Sequence, residues 1–534
     1  MAWTEIKKIR ERLSREQGAI VKDWGGKVPV ALVYPNSYYV GMSNLGVHAI
    51  YKQLNDNRDF VGERVFWEKE NRADFMPPLS LESQRPLTDF AAIAFSINYE
   101  LDYFHVVHIL KASGIPLFAA ERDERYPLLI AGGPSITANP APLVPFFDCL
   151  CIGEAEPIIP SLLPVLSQGI GCRRDSLLKD MAALPGVYVP QFYDGVPIVR
   201  QWVANLDDFP VSSVVLTRDT ELGNLYLIEV ERGCNRGCNF CMVSRTFSPM
   251  RYRSLDSLLA QAETGLKARK RVGLVGPAVS DHPQIEELIV RLRGMGVGIS
   301  ISSLRVSPIS QVVLTGLAEG GARTVTMAPE AGSERLRRVI KKGISTDDIL
   351  HAVELASECG MKQIKLYFII GLPTETDEDA EDIAVLMLKA KDIVDKQRSG
   401  CRLNINIAPF VPKAGTPFQW LSMEAVSVME KRLSLIKKRL RPAGITVKNE
   451  SPAWSEVQGV LSRGDNRLTE VLVSMEQISL AGWRKAIQDC GLDVDYYARR
   501  EWGTGESLPW DMLEIGTKSG QLEKALQRAL TCNK

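Results

Sequence analysis

Apolar residues recur along this chain in short runs of four to seven, separated by stretches in which they return about every 3.6 positions, the alternation expected of strands and helices. In the first third the runs are 28–34, 91–95, 127–131 and 148–152, with helical patterns over 45–54, 101–112 and 157–166. That order predicts βαβ units on a parallel sheet covered by helices on both faces. From about 223 to 440 six further runs appear, at 225–230, 272–275, 298–301, 324–327, 364–370 and 403–408, with helical patterns between them. Periodicity alone predicts a second parallel α/β unit there. Beyond 441 the strand-like runs give way to short amphipathic helices over 470–478, 483–490 and 521–530, separated by turns containing Gly and Pro. The expectation is an α/β chain in three segments: 1–205, including a bridge from about 170, then 223–440, then a small, mainly helical extension over 441–534.

Length agrees with that division, since 534 residues exceed what one core normally fills. Charge changes the picture by exclusion. Lys plus Arg and Asp plus Glu both number 64, so no global field favours nucleic acid or an anionic membrane. The basic stretches 267–271 and 437–441 fall on predicted helices, where a solvated face explains them. Neither a signal-peptide core nor an apolar run of about 18 residues occurs, which predicts a cytoplasmic protein. Ten cysteines in a reducing compartment read as ligands or buried thiols rather than as a disulfide framework.

The candidate chemistry sits directly after the run 225–230. There Glu231-Arg-Gly-Cys-Asn-Arg-Gly-Cys-Asn-Phe-Cys241 sets Cys234, Cys238 and Cys241 in a C-x3-C-x2-C array. Structural zinc wants a fourth ligand, and Cys172 and Cys359 are remote single residues. An iron–sulfur cube held by three cysteines keeps one iron free of protein. This array resembles the cysteine motif of the radical S-adenosylmethionine (radical SAM) enzymes, and Phe240 matches the aromatic residue usual before the last cysteine. The resemblance implies a [4Fe–4S] cluster whose open iron chelates the amino and carboxylate groups of S-adenosyl-L-methionine (SAM). One electron, from a donor such as flavodoxin or ferredoxin, then yields methionine and a 5′-deoxyadenosyl radical.

By the same resemblance the six βα units form a partial (β/α)6 TIM barrel, whose functional groups stand at the carboxyl ends of the strands. The segment 276–281, Gly-Pro-Ala-Val-Ser-Asp, stands where the family usually has a Gly-Gly-Glu-like segment that receives the amino group of SAM. Ser303 and Arg305 follow the third strand, where a hydroxyl and a guanidinium would engage the SAM carboxylate or ribose. Glu330, Gly332 and Ser333 resemble the E-x-G-S segment that contacts SAM, and Gly371 with Glu375 resembles the G-x-x-x-E segment near the adenine. Each carboxylate has a plainer reading, Glu330 as a buried brace and Glu375 as a first-turn helix charge. The loop 409–420, rich in Pro and aromatics, would wall the mouth.

The first third resembles the cobalamin-binding domain, Rossmann-like in fold, that precedes many radical SAM cores. The residues carrying this are "IAGGPS" and "CIGEAE", so Gly132, Gly133, Ser135, Gly153 and Glu154 are the expected cobalamin contacts. The D-x-H-x-x-G motif that supplies a histidine to cobalt is absent. His105 and His108 share one predicted helix face, where a metal pair competes with two satisfied histidines. Together the motifs resemble the B12-binding-domain radical SAM proteins, which implies cobalamin-dependent methylation of an unidentified substrate. The alternatives are a methylthiotransferase acting on RNA or protein, disfavoured because Cys149, Cys151 and Cys172 make a poor second cysteine triad, and a non-catalytic cluster or cobalamin sensor. Longer relatives continue into a further domain, so any activity residing there would be missing here or supplied by a separate protein. Trp454, Trp483, Trp502 and Trp510 place much of the aromatic content in the tail, as core packing or as a cover over the barrel mouth.

Overall fold

The computed structural model describes residues 2–68 and 77–531. Its N-terminal sheet has the order β2-β1-β3-β4-β5-β6, built from β1 (Val28–Tyr34), β2 (Phe60–Phe66), β3 (Ala92–Ser96), β4 (Leu128–Gly132), β5 (Cys149–Cys151) and β6 (Val187–Tyr188). The first five strands are parallel and β6 is antiparallel. The strand order reverses between β1 and β3, which opens a crevice beyond their carboxyl ends. β2 escapes the hydropathy reading because Glu63 and Arg64 interrupt it. Both side chains are nonetheless buried, Arg64 between Glu16 at 2.6 Å and Glu82 at 2.7 Å, and Glu63 under the Trp24 indole at 2.6 Å.

Alternation along the strands sends Val30 and Ile130 to one face and Ala31, Val33 and Ile93 to the other. The first face is covered by the helices Leu45–Asp56 and Ala155–Gly169. The second is covered by Tyr103–Ala112 and by three helices from the far end of the chain, Pro452–Arg463, Leu468–Ser474 and Leu480–Asp489. Phe104 meets Trp483 edge-to-face at 5.8 Å, Lys111 Nζ donates to the Val473 carbonyl at 2.6 Å, and the Asn139 amide spans the Ser462 and Gly464 carbonyls. Trp483 is thus core of the N-terminal sheet and does not cover a barrel mouth.

The second unit is a row of parallel strands: β7 (Tyr226–Glu229), β8 (Arg271–Val275), β9 (Gly298–Ile301), β10 (Thr324–Glu330), β11 (Gln363–Ile370), β12 (Arg402–Pro409) and β13 (Thr446–Asn449). A bridge between Leu304 and Met327 joins β9 to β10. β13 is a seventh strand beyond the six expected; its alternate residues are exposed, so it lacks the apolar run that marks the others. Among the described residues β7 and β13 do not pair with each other, so the row is open. The outer edge of β7 is instead met by Ser212 of the bridging segment. Helices capped by Ser254, Ser310, Ser345 and Thr376 pack outside the row around one core. Among the described residues no helix is long and apolar enough to cross a membrane.

Candidate active site

The cysteine loop leaves the carboxyl end of β7 and is held by its backbone. Gly233 and Gly237 both take left-handed φ values, 87° and 63°, and a Cβ at Gly233 would stand 2.4 Å from the Phe247 carbonyl oxygen. Asn239 staples the loop to the end of the helix Glu334–Val339: its backbone N–H donates to the Ile340 carbonyl at 3.0 Å and its side-chain amide to that of Val339 at 2.7 Å. Cys234, Cys238 and Cys241 are free thiols, each part-exposed. Burial pushes Cys241 up to about 11 and raises Cys238, against the pull of Lys342. Among the described residues no three His, Cys, Asp or Glu side chains converge as the ligands of a single metal ion would. An iron–sulfur cube does not require that, because each thiolate binds its own iron. Three free thiols on one pinned loop at a strand end fit the cluster.

The neighbouring strand ends bring charge to this loop. Asp281, after β8, receives Arg236 of the cysteine loop through two bonds of 3.0 Å and Arg305, after β9, at 3.2 Å. The Arg305 backbone N–H donates to Ser280 Oγ at 3.0 Å, and Ser303 lies part-exposed two residues earlier. Glu330 ends β10 with φ at 69°, a conformation rare for a residue with a side chain, and pairs with Lys342 at 3.0 Å. Lys342, Glu330 and Arg305 all act electrostatically on Cys238, so the ends of β9 and β10 meet the cysteine loop. Glu231 is buried behind it, hydrogen-bonded to the Ala278 N–H. Of this set, Arg236, Glu231 and Lys342 were not singled out from the sequence; for Glu231 and Arg236, a charge beside the cysteines was the available signal.

Other motif residues are committed to the scaffold. A Cβ at Gly332 would lie 2.2 Å from the backbone nitrogen of Ile383, so glycine is needed there for helix packing. Ser333 caps the helix Glu334–Val339 and donates to Asp379 at 2.5 Å. Glu375 accepts from the Gly371 N–H at 2.6 Å and pairs with Arg432 at 2.9 Å, and burial pushes its carboxyl up to about 7. It braces the turn after β11; the first-turn helix charges are Asp377, Glu378 and Asp379, beyond the Thr376 cap. Phe240 and Met242 pack against the cluster that includes Ala331, Phe410, Trp420 and Trp510.

In the N-terminal unit a cavity of about 470 Å³ lies between the sheet and the helices Leu45–Asp56 and Ala155–Gly169, and reaches Glu229, Arg232 and Val275 at the ends of β7 and β8. Gly132, Gly133, Gly153 and Glu154 line it. Ser135 is not among the lining residues; it is buried at the start of the helix Pro134–Ala138. Gly133 and Gly153, both at φ 118°, are glycines for a backbone reason: a Cβ would stand 2.4 Å from the Ile97 carbonyl oxygen or 2.1 Å from that of Gln201. Glu154 is held by Arg251 at 2.7 Å and by Arg232 at 2.9 Å, and Arg232 also binds Glu156 and Glu229. Arg232 thereby ties this sheet to the cysteine loop. His105 bonds the Pro35 carbonyl and His108 that of Met475, so the pair is satisfied separately.

The chain matches the family described as radical SAM proteins, N-terminal, over residues 46–190, and the radical SAM superfamily over residues 228–387. An uncharacterized protein of Methanocaldococcus jannaschii, MJ0966, is 33% identical over 445 residues, covering 83% of this chain and 90% of its own length. An uncharacterized methyltransferase of Pyrococcus horikoshii, PH0819, is 27% identical over 47% of this chain and 56% of its own. A putative methylthiotransferase of M. jannaschii, MJ0865, is 28% identical over 29% of this chain and 37% of its own. Among solved structures, the cobalamin-dependent S-adenosylmethionine radical enzyme OxsB with aqua-cobalamin bound superposes with a TM-score of 0.51 at 13% identity, over 86% of this chain and 70% of that one, a likeness of fold. Strand-end cysteines, both matched segments and a relative alike over most of its length agree: the chain belongs to the radical SAM superfamily.

Proposed function

We propose that this chain cleaves SAM reductively at a [4Fe–4S] cluster on Cys234, Cys238 and Cys241 and uses the resulting radical for cobalamin-dependent methylation at carbon. The observation that carries the reading is the pinned three-cysteine loop at the end of β7, facing the charged ends of β8 to β10. When bound, the cluster and SAM supply a carbon-centred radical, and a corrinoid supplies a transferable methyl group. The protein's part is binding, orientation and exclusion of water. Arg305, fixed by Asp281 and Ser280, would meet a carboxylate or ribose. Phe240 and the tryptophans behind it keep that flank of the loop dry. The apolar cavity under β1, β3 and β4, lined in part by Gly132, would take the apolar part of a corrinoid.

Methylthiotransfer is supported less well. It calls for a second cysteine triad in the N-terminal unit, where Cys149 is fully buried in β5 beneath the helix Ala155–Gly169 and Cys172 is exposed beyond the end of that helix.

Anaerobic reconstitution should give about four irons per chain, and dithionite with SAM should release 5′-deoxyadenosine. A Cys234→Ala, Cys238→Ala, Cys241→Ala triple variant that still cleaves SAM would remove the cluster from these residues. Protein prepared with hydroxocobalamin should retain about one corrinoid per chain, and Ala49→Trp, which fills the cavity from its helix side, should abolish retention. With substrate present, 5′-deoxyadenosine and S-adenosylhomocysteine should both form. With methyl-labelled SAM, a labelled product carrying sulfur along with the methyl group would transfer the assignment to methylthiolation.

A further inference from the structure

The row of parallel strands ends at β13, whose outer edge has no strand beside it among the described residues. The Glu450 N–H donates inward, to the Ile407 carbonyl of β12 at 3.0 Å. Backbone groups of a parallel strand turn to its two sides in alternation, so Thr446 and Lys448 face β12 while Val447 and Asn449 present N–H and C=O groups outward. Such an edge is a template for a further strand. A groove of about 750 Å³ lies between Asn449 and one face of the helix Val426–Leu440. Lys437, Lys438 and Arg441 line it at helical spacing, and Glu430 is the one carboxylate among the lining residues. Lys448 adds an exposed side chain on β13 itself. None of these four cations enters an ion pair among the described residues, whereas their neighbours Lys431 and Arg439 are paired with Asp377 and Glu381. A lysine on an edge strand guards against unwanted pairing. Lys437, Lys438 and Arg441 stand off the strand, however, and leave its edge uncovered. No aromatic side chain lines the groove, so stacked bases find no platform there.

We infer that the β13 edge and this groove are the docking site of a partner protein, which adds an acidic extended segment to the sheet. Main-chain bonds to Val447 and Asn449 hold the segment, and its carboxylates meet Lys437, Lys438, Arg441 and Lys448. The surface shares no residue with the cysteine loop or with the cavity of the N-terminal unit.

The test is fluorescence anisotropy of the full chain with three labelled probes: a short peptide of alternating Glu and Thr, the same peptide with its amides N-methylated, and an oligouridylate. The plain peptide should bind, and more weakly as salt screens the charge pairs. The N-methylated peptide keeps the charge but cannot pair with a strand, so it should bind at least about tenfold more weakly. A Lys437→Glu, Lys438→Glu, Arg441→Glu triple variant should lose about tenfold in affinity for the plain peptide. Independently of any variant, the Val447 and Asn449 amides of the wild type should exchange hydrogen more slowly with the plain peptide bound. A plain peptide that does not bind, or that binds no better than its N-methylated form, overturns the inference. So does a triple variant that keeps its affinity. An oligouridylate that binds more tightly than the peptide, and is lost in the triple variant, overturns it in favour of a phosphate-binding surface.

Discussion

At the scale of single residues, spacing told more than identity. The three cysteines were legible because only a few cofactors use three thiolates so close in sequence, whereas Glu231 was not, because a glutamate beside a strand is ordinary until its burial is known. Gly332, Ser333 and Glu375 show the opposite case: they read as a motif, but Ile383, Asp379 and Arg432 already engage them. The raised pKa of Glu231 has a consequence for the unliganded protein. The folded state holds this proton more tightly than an unfolded glutamate, so its contribution to stability is full below the ordinary carboxylate range and lost as pH rises towards about 8. Urea unfolding between pH 5 and 9 should therefore show stability falling with pH, by up to a few kcal/mol, and Glu231→Gln should flatten that slope. A slope unchanged in the variant would assign the effect to other groups.

At the scale of elements, the reading succeeded where strands are continuously apolar and failed where they carry charge or alternate into solvent. β2 holds Glu63 and Arg64 at its centre, and β13 exposes every second residue. The charge in β2 is structural. Arg64 is 1% exposed between Glu16 and Glu82, two carboxylates that are themselves out of solvent. Arg64→Ala would leave both without a counter-charge, and chemical denaturation should report a loss of about 3–5 kcal/mol. Arg64→Ala together with Glu16→Gln and Glu82→Gln should recover part of that loss, which a pure cavity effect would not. The parallel units themselves needed no such help, because each apolar run names its own strand and the intervening period names its helix.

At the scale of the whole molecule, periodicity finds elements but not their partners, and the tail shows why. Its helices were legible as amphipathic, yet nothing in their pattern says that they complete the second face of a sheet formed more than 300 residues earlier. Trp483, buried against Phe104, is the clearest contact. Trp483→Ala should cost about 3–5 kcal/mol, and hydrogen exchange should speed up in the helix Tyr103–Ala112 more than in the helices around β7 to β12. Exchange rising equally in both would mean that the two units unfold as one. Trp502 and Trp510 instead join the cluster behind Phe240, so the tail serves both units.

A sheet finished by distant helices is also a matter of time. As the chain is synthesised, β1 to β5 emerge long before Pro452–Arg463, so one face of that sheet waits for roughly 300 residues, or about 15 to 60 s at ordinary elongation rates. During that interval Phe104, Val107 and Leu129 have no tail to cover them. The nascent chain therefore presents a large sticky face to the cell while the cysteine loop is being made. Its yield in the cell should depend on chaperone capacity more steeply than the stability of the finished protein would suggest.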